Sequence, residues 1–136
     1  ENCRDDPGCM SAWDTMELRK SLLAVHGIGE ETADSIILYA AYKPIFVVDA
    51  YTRRILERLG TCPVPHTSIE KHGHSYATFQ APFMDNLPLD TAMFNEYHAL
   101  FVRHGKETCR KAPLCPRCCL KSICPYPGAQ GIHDNG

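Results

Sequence analysis

Residues 26–34 read His26-Gly27-Ile28-Gly29-Glu30-Glu31-Thr32-Ala33-Asp34, and the rest of the chain is best read outward from them. Two glycines around one isoleucine stop a helix and permit a sharp turn with positive φ. Glu30 and Glu31 suit the first turn of a new helix, where the backbone dipole favours negative charge. Ala33, Ile36, Ile37 and Ala40 then recur at helical spacing, so a helix spans 30–41 and Pro44 ends it. Upstream, Asp14 followed by Glu17 is an N-cap signal. Met16, Leu22, Leu23 and Val25 give that helix an apolar stripe over 15–25. The glycine turn therefore joins two helices. At the start of the second helix, backbone N–H groups left uncovered by side chains form an anion site. Ile28 is expected to be buried and to pin the turn to the core. Residues 1–14 read as a loop or an upstream remnant. A Gly-x-Gly between helices is by itself more often only a tight connection.

Downstream, Ile45-Phe46-Val47-Val48 is an apolar run too short for a helix. Asp49 precedes a third helix, Ala50 to Leu59, closed by Gly60. Its local reading is an N-cap; a capping carboxylate still has a second oxygen free to face a cleft. Residues 61–74 read as a loop in which His72 and His74 are solvated. Tyr76, Phe79 and Phe83 mark a weaker helix that Pro82 bends or ends. Asp90 caps the next helix, which carries Met93, Phe94, Tyr97 and Phe101 and runs to His104, with Gly105 as its C-cap. His98 and His104 lie on it and either pack or touch a ligand. Tyr39, Tyr42 and Trp13 are candidate pocket aromatics, though such residues are more often core. Strand signals are nearly absent and no repeat is visible, so the chain reads as all-α.

Eight cysteines are unevenly placed among the 136 residues. Cys3, Cys9 and Cys62 are scattered, whereas Cys109-x5-Cys115-x2-Cys118-x5-Cys124 crowds four into one short run, with Cys119 as a bystander whose side chain points away. Disulfides of a small secreted protein would be spread along the chain. Four thiolates converging on one inorganic centre suit Zn²⁺ or an iron–sulfur cluster. Zinc modules usually pair two CxxC-type steps across a longer gap, so this spacing favours the cluster over zinc, and disulfides come third. Pro113, Pro116 and Pro125 make the run a loop-rich lobe that depends on its metal for order.

The order of these parts carries a resemblance. The hairpin stretch His26 to Asp34, then Pro44, then Val47-Val48-Asp49-Ala50-Tyr51-Thr52-Arg53-Arg54, then the four-cysteine run, resembles the endonuclease III superfamily of DNA glycosylases over about residues 15–125. Its hairpin version looks most like the endonuclease III-related 3-methyladenine DNA glycosylases. The resemblance implies an all-α helix-hairpin-helix region over 15–104, here without the N-terminal helices that members carry. It also implies an iron–sulfur loop over 105–125 and a polar tail over 126–136. By resemblance Cys109, Cys115, Cys118 and Cys124 ligate a [4Fe-4S] cluster, with zinc as the alternative metal; the first gap is one residue shorter than the family's usual spacing. The resemblance likewise makes Asp49 the expected catalytic carboxylate. Bifunctional members carry a Schiff-base lysine two residues after the second glycine. That position is Glu31 here, which cannot form an imine, so AP-lyase activity is not expected.

The resemblance thus implies a base-excision repair enzyme that flips out a damaged base, an alkylated purine, and hydrolyses its N-glycosidic bond. The alternatives are a non-catalytic DNA-binding fragment, or a bifunctional enzyme using another amine. Formal net charge is −2, which alone gives no hint of a nucleic-acid partner. The charge is uneven, however. Residues 1–48 carry four Lys/Arg against eight acids, while Arg103 to Cys124 carries six (Arg103, Lys106, Arg110, Lys111, Arg117, Lys121) against Glu107 alone. Gly27, Ile28, Gly29, Arg53, Lys106, Arg110 and Lys111 are therefore the expected contacts to double-stranded DNA, with Arg54 and Arg58 part of a second basic group beside Asp49. No apolar stretch is long enough for a membrane helix, and the polar start Glu1-Asn2-Cys3-Arg4-Asp5-Asp6 is unlike a secretory leader. A monomer in a prokaryotic cytoplasm, at the nucleoid, is the expectation.

Overall fold

A computed structural model of the chain describes residues 7–61, 75–126 and 128. After a 3₁₀ turn at Pro7–Ala12, helix α1 spans Thr15–Leu23, capped by Asp14, which accepts from Met16 N at 3.1 Å and Glu17 N at 3.2 Å. α1 ends two residues earlier than its apolar stripe suggests, because Val25 and Ile28 already make turn bonds to Leu22 O and Val25 O. Gly27 supplies the positive φ, +88°. Gly29 is extended and begins α2, Glu30–Ser35, which widens into a π turn over Ile36–Ala40. That turn closes with Ala41 N to Ile36 O, followed by Lys43 N to Ile37 O. Tyr42 leaves it in the left-handed region at φ +52°.

Residues 45–48 are extended and almost wholly buried, yet no strand pairs with them among the described residues. Their backbone is satisfied by side chains instead. Val48 N donates to Tyr76 Oη at 3.2 Å, and Phe46 O accepts from Gln80 Nε2 at 2.8 Å. This is how a buried loop meets its hydrogen-bond requirement without a sheet. Phe46 is the hub of the core. It stacks on Phe83 at 3.8 Å between centroids and takes Phe94, Tyr97 and Phe101 edge-on.

Helices α3 (Ala50–Leu59), α4 (Tyr76–Asn86) and α5 (Thr91–Glu107) follow, and Gly60 closes α3 in the left-handed conformation. Asp90 caps α5 by accepting from Met93 N at 3.0 Å. Four sequence expectations are corrected or narrowed. Of the two outcomes expected at Pro82, bending or ending, the ending is excluded, because the helix runs through it to Asn86. Phe83, just beyond the proline, is held against Phe46, and this packing outweighs the lost backbone bond. Gly105 is not a C-cap. It is buried inside α5, where a Cβ would lie 2.4 Å from Tyr51 Cδ1, so the glycine serves close helix packing. Ile28 is only partly buried and is not among the residues packed on the core. Tyr39 and Tyr42 are 48% and 65% exposed rather than core, because the wide π turn directs them outward. Cys3, Cys62, His72 and His74, with the 62–74 loop and most of the tail, lie outside the described residues.

Candidate active site and cysteine centre

Asp49 stands where the buried 45–48 segment turns into α3, and only 8% of it is exposed. Its Oδ1 accepts from Thr52 N at 2.8 Å and from Thr52 Oγ1 at 3.0 Å, which makes it the N-cap. Its Oδ2 meets His98 Nε2 of α5 at 3.0 Å. Burial pushes this carboxyl up; the bonds from His98 and Thr52 outweigh that and leave it below the ordinary carboxylate value. His98 was not singled out as Asp49's partner from sequence. The available signal was its place four residues after Phe94 and three before Phe101, on the inward stripe of α5.

A second buried acid holds the hairpin in register with this segment. Asp34 of α2 is fully buried and paired with Arg19 of α1, Nε to Oδ1 at 2.7 Å. Its Oδ2 also accepts from Tyr76 Oη at 2.8 Å and Gln80 Nε2 at 2.9 Å. Tyr76 and Gln80 are the residues that satisfy the backbone of 46–48, so one network joins α1, α2, α4 and the approach to Asp49. Among the described residues no buried side-chain nitrogen or oxygen lacks a partner. The sequence placed Asp34 in the hairpin motif without assigning it this role.

The cysteine run behaves as one unit. Cys109, Cys115, Cys118 and Cys124 line one small cavity together with Arg58, Thr108, Pro113 and Tyr126. Cys119 is exposed and borders a different, apolar groove with Leu100, Phe101 and Leu120. Burial first, then the neighbouring sulfurs of Cys119, Cys109 and Cys115, push the Cys118 thiol up. Among the described residues no three His, Cys, Asp or Glu side chains are grouped to hold a single metal ion. Four sulfurs around one cavity are a donor set of the kind that binds an iron–sulfur cluster or zinc.

Arg58 ties this lobe to α3. Its Nη1 donates to Arg110 O at 2.7 Å and reaches Cys109 Sγ at 3.3 Å, its Nη2 donates to Lys111 O at 3.1 Å, and its guanidinium lies over the Tyr126 ring. Arg54 donates to Cys109 O at 2.9 Å and Gly105 O at 2.7 Å. These two arginines are thus bound to carbonyls of Gly105 and the cysteine lobe, so two members of the second basic group expected beside Asp49 make internal contacts. Arg53 sits over the Tyr76 and Phe79 rings. Lys106, Arg110 and Lys111 are exposed, and so are Gly27, Gly29 and Glu31. A Cβ built on Gly27 or Gly29 meets nothing within 4 Å, so the hairpin backbone is open to an incoming group.

A glycine hairpin between helices, a buried acid heading the following helix and a four-cysteine lobe define a helix-hairpin-helix protein with a cysteine-rich C-terminal loop. No protein-family model matches the chain. It is 45% identical over 111 residues to a protein of Methanocaldococcus jannaschii provisionally named a DNA repair glycosylase, covering 82% of this chain and 47% of that one. It is 31% identical over 114 residues to endonuclease III of Sulfolobus acidocaldarius, covering 83% of this chain and 47% of the relative. The chain thus spans about half the length of the curated relatives it matches. Among solved structures, a non-covalent endonuclease III–DNA complex superposes with a TM-score of 0.64 at 20% identity, over 89% of this chain and 69% of the other. A trapped endonuclease III–DNA covalent intermediate gives 0.62 at 19% identity, over 88% and 68%. The chain belongs to the endonuclease III superfamily.

Proposed function

We propose that the chain acts in base-excision repair as a monofunctional DNA glycosylase that hydrolyses the N-glycosidic bond of an alkylated purine. The observation that carries this reading is Asp49, a shielded carboxylate held ionised at the head of α3. As the glycosidic bond breaks, positive charge develops on the sugar. A fixed carboxylate stabilises that charge and orients the attacking water. The nucleotide must first leave the stack. An alkylated purine is already cationic and departs with little acid assistance, which suits a hairpin that presents Glu31 rather than an amine.

The open hairpin backbone at Gly27 to Gly29 and the exposed Lys106, Arg110 and Lys111 are the contacts assigned to the DNA phosphates, so affinity should fall as salt rises. Cys109, Cys115, Cys118 and Cys124 would hold a [4Fe-4S] cluster, which supplies the cross-link that orders a loop-rich lobe. Base hydrolysis itself requires no electron from it. No helix among the described residues is long and apolar enough to cross a membrane.

The test is a base-release assay on duplexes carrying a methylated, oxidised or deaminated base, followed by a search for strand breaks. Free methylated purine with intact abasic strands is the expected result. Strand cleavage without added base contradicts the monofunctional reading. DNA binding with no released base makes the chain a binding module instead.

A further inference from the structure

Tyr39, His98 and Asp49 form one hydrogen-bonded line, from the last turn of the α2 segment through α5 to the head of α3. An N-cap uses one carboxylate oxygen, and Asp49 Oδ1 meets that need through both of its Thr52 bonds. Oδ2 adds nothing to the cap, yet it is bound to an imidazole that is itself bound by a phenol. Exposure rises along the line: the Asp49 and His98 side chains are 11% and 18% exposed, and Tyr39 is 48% exposed.

The chemistry orders the hydrogens. A carboxylate only accepts, so His98 Nε2 carries the proton. Nδ1 of the neutral ring is then the acceptor and takes the Tyr39 O–H. Every donor in the line points toward Asp49. Such a line clamps an anion; it cannot carry a proton away from Asp49 unless each hydrogen reverses.

We propose that His98 is a positioning residue for Asp49, with Tyr39 bonded to the far nitrogen of its ring, so that Oδ2 is held as an acceptor in one orientation. The directions of titration agree. The His98 bond is among those that lower the Asp49 carboxyl, while burial, and then the charge of Asp49, raise the Tyr39 phenol, which therefore remains a donor at neutral pH. The titratable groups that reach Asp49 are His98 from α5 and, one ring further out, Tyr39 from the α2 segment; α3 contributes only Thr52.

The kinetic arm of the test rests on the glycosylase reading, and the spectroscopic arm does not. The full chain is compared with its His98→Leu, His98→Gln and Tyr39→Phe variants. Single-turnover base release should fall on the order of 10²-fold in His98→Leu, with DNA affinity unchanged and the acid limb of the pH profile moved to higher pH. His98→Gln, whose amide still donates, should recover part of the rate. By carboxyl NMR, Asp49 should titrate at higher pH in His98→Leu. In Tyr39→Phe the imidazole ¹⁵N shifts should report an Nδ1 that has lost its hydrogen bond while Nε2 keeps its proton. A wild-type rate together with an unmoved acid limb in His98→Leu overturns the proposal. If the unmutated chain releases no base, the glycosylase reading fails and the carboxyl titration decides: an upward move in His98→Leu supports the clamp, and identical titrations overturn it. If His98→Leu does not fold, the ring tautomer of the unmutated chain decides in its place: an Nε2–H ring supports the proposal and an Nδ1–H ring overturns it.

Discussion

Tyr51 of α3 occupies the space that any side chain on Gly105 of α5 would need: a Cβ there would lie 2.4, 2.8 and 2.9 Å from its Cδ1, Cβ and Cγ. The two helices can approach this closely only because position 105 has no side chain. Arg54 reinforces the contact by donating to Gly105 O. Gly105→Ala gains helix propensity but must push α5 off Tyr51, and overpacking of this kind costs about 1–3 kcal/mol. A lowered thermal midpoint is the expected outcome. A midpoint that rises, as propensity alone would give, counts against the packing role.

Arg58 makes the broadest set of contacts to the cysteine lobe, reaching two backbone carbonyls closely, one sulfur and one aromatic face. Arg58→Ala should leave the helices intact and loosen the lobe, with iron content per chain reduced and iron lost faster to a chelator. Arg58→Lys should recover little, since an ammonium cannot fan across several acceptors. Cluster absorbance followed over time with chelator present measures both.

Asp49→Asn should abolish base release while keeping the fold, because Asn caps a helix as well as Asp does. Near neutral pH the two proteins should differ by less than about 1 kcal/mol beyond the loss of the charged bond from His98. The pH dependence has a definite sign. The folded Asp49 carboxyl lies below its ordinary value of about 3.9, so the stability it adds is complete above that value and is lost as pH falls through the lower folded one. Any advantage of the unmutated chain over Asp49→Asn in chemical denaturation should therefore shrink as the pH is taken below about 4.

Asp34→Ala removes the shared acceptor of Arg19, Tyr76 and Gln80. It leaves a largely buried guanidinium without its main partner, a loss of about 3 kcal/mol or more. A drop in thermal midpoint of roughly 10 °C or more is expected. Because the same network fixes residues 46–48, base release should fall even at temperatures where the variant is folded. Near-normal stability would show that the network is dispensable.

Local patterns carry far in this chain. The caps at Asp14, Asp49 and Asp90, the glycine turn, the helical identity of each segment and the grouping of four cysteines apart from Cys119 were all readable. Each depends on residues within a few positions of one another, where backbone geometry ties spacing to contact. The readings that failed or fell short concern the same residue types in longer-range roles. Gly105 resembles a C-cap until Tyr51 is placed against it. Pro82 resembles a stop until Phe83 is seen on Phe46. Arg54 and Arg58 read only as a basic group beside Asp49 until carbonyls more than fifty positions away are placed against them.

The sequence alone determined an all-α chain with a glycine hairpin, an acid heading the third helix and a cysteine lobe, because caps, turns and helical periodicity are short-range properties. Only the tertiary structure decided that Asp49 shares its second oxygen with His98, that Asp34 ties the hairpin to α4, and that two arginines of α3 serve the lobe. Those choices join residues fifteen to fifty-five positions apart. Over such separations no local rule selects a partner; the packing of apolar faces brings the backbones together, and buried polar groups then bond to whatever donor or acceptor that packing leaves within reach.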